Sequence, residues 1–125
     1  QALSGTSSTA DGNDIFALCE SIKSKILEKE TGLKKLSPDF ESKEALIGDT
    51  WIRDYISDSP DLQKDLDALQ QKIMAFNEAN KSHQNFASIP VKSVDFWSQA
   101  RVREALNNLV QLQMMLLQNQ KTLLQ

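Results

Sequence analysis

Residues 59–76 read SPDLQKDLDALQQKIMAF. Leu62, Leu66, Leu69, Ile73 and Phe76 recur at spacings of four, three, four and three. Those steps hold side chains on one face of an α-helix, whereas a strand would throw them alternately to both sides. The other positions include Gln63, Lys64, Asp67, Gln70, Gln71 and Lys72, so the predicted helix is amphipathic and needs a partner for its apolar stripe. Its start is written as well. Ser59 suits a cap, Pro60 suits the first helical position, and Asp61 complements the positive end of the helix dipole. The helix is expected to fade over residues 80–82.

The same start signal appears at Ser37-Pro38-Asp39. Phe40, Ala45, Leu46 and Ile47 follow, and Gly48 interrupts the pattern before Trp51, Ile52, Tyr55 and Ile56 resume it. This predicts a second helix kinked or split near Gly48. Toward the N-terminus, Ile15, Cys19, Ile22 and Ile26 share one face of a first helix, capped by Asn13 or Asp14 and expected to stop at Gly32. Residues 1–12 hold only one large apolar side chain, Leu3, and are expected to form a disordered tail. Toward the C-terminus, residues 83–92 lack a helical period and contain Pro90, with Phe86 and Ile89 as apolar pegs. Ser93 is the expected cap of a long last helix running to the end of the chain. The fold class is all-α: one domain over residues 13–125, a bundle of about four helices. Only 4 glycines and 3 prolines in 125 residues leave too few turns for an all-β chain.

The last helix is the unusual one. Residues 105–120, ALNNLVQLQMMLLQNQ, carry no charge. One row is Ala105, Leu109, Leu112 and Leu116, continued by Asn119 and Leu123; a second is Leu106, Val110 and Leu117, joined by Leu124. A surface helix needs one apolar face, and this one is wider. Either the helix is central in the bundle, or part of it docks on another chain. The expected partner-binding residues are Leu109, Leu112, Met115, Leu116, Asn119 and Leu123, with Trp97 as a possible uncovered anchor. Asn119 on the apolar row is expected either to lie exposed on a frayed helix end or, if buried in a coiled coil, to fix register and oligomer number. Asn107, Asn108, Gln111, Gln113 and Gln118 rule out a membrane span, since each amide would need a partner in hydrocarbon.

Other chemistry is sparse. The net charge is −3, with an isoelectric point near 5.1, which gives no general attraction to phosphate backbones. The basic cluster Lys23, Lys25, Lys29, Lys34 and Lys35 is interrupted by Glu20, Glu28 and Glu30 and has no aromatic within it, so it reads as a solvated face rather than a nucleic-acid site. The lone Cys19 forms no internal disulfide and reads as a small buried hydrophobe. His83 stands apart from other metal-ligand types, and no phosphate loop, nucleophile elbow or zinc spacing is present. No enzyme, metal or cofactor is therefore expected. The chain opens on Gln1, as expected of a processed form or a fragment, and its composition suits the cytoplasm or bacterial secretion.

The expected function is a non-enzymatic interaction or assembly module, binding another protein or itself through the last helix. Phe76-Asn77-Glu78-Ala79-Asn80 and Ala100-Arg101-Val102-Arg103-Glu104-Ala105-Leu106 together resemble parts of the C-terminal half of flagellar export chaperones, over less than a third of the chain. That resemblance implies the alternative: an export chaperone or a secreted helical subunit of a bacterial secretion or surface apparatus.

Overall fold

The structure is a computed structural model and describes residues 12–36 and 51–123. Among these residues all regular structure is helical. There are five helices: α1 (Gly12–Leu36), α2 (Trp51–Ser57), α3 (Pro60–Asn80), α4 (Val94–Gln99) and α5 (Val102–Leu123). The expected kink near Gly48 and the start at Ser37 lie outside the described residues, as do residues 1–11 of the expected tail.

Three long helices form the core. α1 packs on both α3 and α5. Polar cross-links set its direction against each. Asp14 meets Lys72 and Lys25 meets Asp65, so α1 runs antiparallel to α3. Asn13 meets Gln120, Glu20 meets Gln113, and Glu30 meets Arg103, so α1 also runs antiparallel to α5. The apolar rows read from the sequence meet in the middle: Ile15, Cys19, Ile22 and Ile26 from α1, Leu62 to Phe76 from α3, and Ala105 to Leu116 from α5 are all buried. The short α2 and α4 pack on each other and close one end with Trp51, Ile52, Ile56 and Trp97.

Three boundaries differ from expectation. Gly12 belongs to α1 rather than to the tail. A Cβ there would stand 3.5 Å from Phe76 and 3.7 Å from Leu116, ordinary van der Waals contact, so α1 already starts packed against α3 and α5. α1 does not stop at Gly32 but continues to Leu36. A mid-helix glycine costs only about 1 kcal/mol. Leu33 packs beyond it on the core, and Lys34 and Lys35 complement the negative helix end.

The long helix expected from Ser93 is two helices. Ser93 does cap α4, its hydroxyl accepting from the Phe96 N–H at 3.4 Å. Ala100 is then extended, and Glu104 accepts from the Arg101 N–H at 3.2 Å, the reciprocal half of a capping box for α5. In one continuous helix Trp97 and Val102 would point about 140° apart, given 100° per residue. The break turns both inward, and both are buried.

Candidate interaction face

The residues expected to meet a partner are mostly turned inward. Leu109, Leu112, Leu116 and Asn119 are buried within the chain's own bundle, and so is Trp97. Met115 is half-buried against the core. The side chain of Leu123 lies outside the described residues. The reason is geometric: α1 and the 81–93 loop already occupy that face, and only opening the bundle would present it. Of the adjacent aromatic pair, Phe96 is the outer one, with the Lys92 ammonium 4.3 Å from its ring centre.

Asn119 has a role inside the chain. Its Oδ1 accepts from the Ala87 N–H at 3.1 Å, and its Nδ2 donates to the Ala87 carbonyl at 2.9 Å. Asn77 makes the same pair of hydrogen bonds to Ile89, its Oδ1 accepting from the N–H at 2.9 Å and its Nδ2 donating to the carbonyl at 2.8 Å. Two amides thus hold the 81–93 loop across the bundle end, with Ile89 buried and Phe86 edge-on to Phe76. A loop pressed on apolar surface must satisfy its backbone polar groups, and these side chains do so. The sequence marked the apolar pegs, but nothing in it singled out Asn77.

The second row of α5 faces outward. Val110 is 40%, Met114 63% and Leu117 52% exposed, beside a half-buried Leu106. Asn107, Gln111 and Gln118 flank them and are exposed. On the antiparallel register, Leu27 of α1, 45% exposed, stands level with Leu106, and the half-buried Phe16 stands level with Leu117. The neighbouring exposed row of α1 includes Ala17, Ser24 and Thr31, which are small and uncharged. The α1/α5 pair therefore presents a continuous apolar face with an amide rim on one side and small residues on the other.

Its charges are internally matched. Arg103 donates to the buried Glu30 at 2.8 Å, which corrects the reading of Glu30 as part of a solvated face. Glu20 pairs with Lys23 at 2.6 Å and accepts from Gln113 at 2.7 Å. Lys23 and Gln113 together hold its carboxyl below the usual range.

The remaining groups among the described residues are mostly engaged in packing and pairing. Cys19 is buried, and burial pushes its thiol up to about 12, far from a reactive thiolate. An open hollow of about 290 Å³ lies between α1 and α2. The Tyr55 hydroxyl donates to the Lys25 carbonyl at 3.4 Å, Lys29 sits over the Tyr55 ring, and Lys25 pairs with Asp65, which leaves Glu28 as the other charged group of the lining. Among the described residues, no cluster of three histidine, cysteine or carboxylate ligands is placed to hold a metal. No helix among them is long and apolar enough to cross a membrane.

The class defined by these features is an all-helical bundle with one two-helix face whose seam charges are paired within the chain. No family model, curated protein or solved structure matches the chain. The segments that resemble export chaperones have no counterpart there, and they sit on different helices, 76–80 ending α3 and 100–106 opening α5.

Proposed function

We propose that this chain is a non-enzymatic interaction or assembly module that holds another protein chain on the outer face of α1 and α5. One observation carries the reading: Val110, Met114 and Leu117 lie exposed together along α5, in a stretch without charge. Single exposed apolar residues are ordinary on protein surfaces, but a continuous row rimmed by polar groups marks contact sites. In this reading the last helix still makes the contact. The contact residues change from the Leu109 row to the Val110 row, because the former completes the core.

A photo-reactive benzoylphenylalanine at Met114 tests this in cells, with the same group at the exposed Lys64 of α3 as reference. Discrete adducts from position 114 and none from 64 are expected. Absence of adducts at 114, or the same adducts from both positions, would sink the reading.

A further inference from the structure

We propose that the α1/α5 face pairs with the same face of a second copy of this chain, about a two-fold axis; this rests on the interaction reading above and specifies its partner. A two-fold contact requires a surface complementary to itself. This face meets that condition group by group. The apolar row of Val110, Met114 and Leu117 is complementary to another apolar row. The rim of Asn107, Gln111 and Gln118 is complementary to another amide rim, because each amide both donates and accepts. A rim of one charge sign fails this test, since that sign meets itself.

The chain carries net charge −3, yet none of that excess sits where the copies would meet. Residues 105–120 are uncharged, and the seam charges are spent within the chain, Glu20 on Lys23 and Glu30 on Arg103. A partner with a charged docking helix would find the α5 row without counter-charge and the seam charges already paired within the chain, so it would lose hydration for little return. Residues 105–120 span about 24 Å, so a two-helix face about 20 Å wide offers roughly 480 Å² per copy. The total of about 1,000 Å² suits a weak dimer that forms at high concentration. Small α1 residues, Ala17 and Ser24, let the facing helices approach closely. The product is two stacked layers, α1 and α5 of one copy on α1 and α5 of the other, with the α3 helices outermost.

Sedimentation equilibrium of the intact chain, from about 5 to about 500 µM, reads this directly. The average mass is expected to rise with concentration toward twice 14.0 kDa. The double variant Val110→Lys, Leu117→Lys alters only exposed side chains. It is expected to weaken association by at least about tenfold, while the circular dichroism melt at about 5 µM, below the association range, is unchanged. A second variant, Gln111→Glu, covers the case in which the double variant unfolds. It places a like charge on both rims, and its association should be weakened at low salt and recovered at high salt.

Wild-type protein that stays monomeric throughout overturns the proposal, and so does a dimer that neither variant weakens. The Met114 cross-linker separates this failure from that of the parent reading. Adducts of twice the chain mass support the second copy. Adducts to a different protein, or back to the same chain, overturn it, and the first of these leaves the interaction reading standing.

Discussion

α3 and α5 are near twins on the inside and opposites on the outside. They have 21 and 22 residues, each packs against α1, and each buries a row of leucines at helical spacing. Outside, α3 exposes Lys64, Asp67, Gln71 and Glu78, with Met74 as one isolated apolar group. α5 exposes Asn107, Gln111 and Gln118 around Val110, Met114 and Leu117. Bundle formation demands the inner rows of both helices and is indifferent to the outer ones. The charged exterior of α3 is what water alone selects, because charge keeps copies apart. The exterior of α5 needs another explanation, and a partner chain supplies one.

The largest effects should be equal on the two helices. Leu69→Ala and Leu109→Ala each remove a buried leucine, and each is expected to cost about 2–5 kcal/mol in urea unfolding. A much smaller cost at Leu109 would break the comparison, since α5 would then be loosely held. Next come the loop clamps. Asn77→Ala and Asn119→Ala, one on each helix, strand the backbone groups of Ile89 and Ala87, and each should cost about 1–2 kcal/mol. If Asn119→Ala proves silent, that clamp is dispensable and the amide is left available for a partner.

Cys19 tests the helix on which both pack. Its thiol is raised from 9.0 to about 12 by burial. A raised folded-state value means the contribution is complete below the unfolded-state value and is lost as pH rises through the folded one. Stability should therefore fall between about pH 9 and 12, and a Cys19→Ala variant should show a shallower fall. Equal pH profiles for the two proteins would mean water reaches the α1 stripe. The smallest effect sharpens the outer contrast. Val110→Lys on α5 and Lys64→Gln on α3 should each change monomer stability by no more than about 0.5 kcal/mol. A larger loss at Val110 would show that its methyl groups belong to the core.

Much of the fold was legible because it rests on local rules. Spacings of three and four placed the inner rows of α1, α3 and α5, and Ser-Pro-Asp marked the start of α3. Even there Ser59 makes no side-chain cap, so the proline and backbone suffice. The candidate face was only half legible. The uncharged stretch 105–120 was visible as unusual, but two apolar rows compete for the core, and spacing treats them alike. The Leu109 row fell inward because α1 and the clamped loop lie on that side.

The sequence by itself determined that the described chain is helical, which residues share each stripe, and that one long helix lacks charge. Tertiary structure decided the rest. It carried α1 through Gly32, because Leu33 gains more by packing than a glycine costs. It broke the chain at Ala100 so that Trp97 and Val102 could share one interior. It turned Asn119 from a register mark between chains into a loop clamp. Such choices depend on what lies across from a residue in space, and periodicity along a chain carries no term for that.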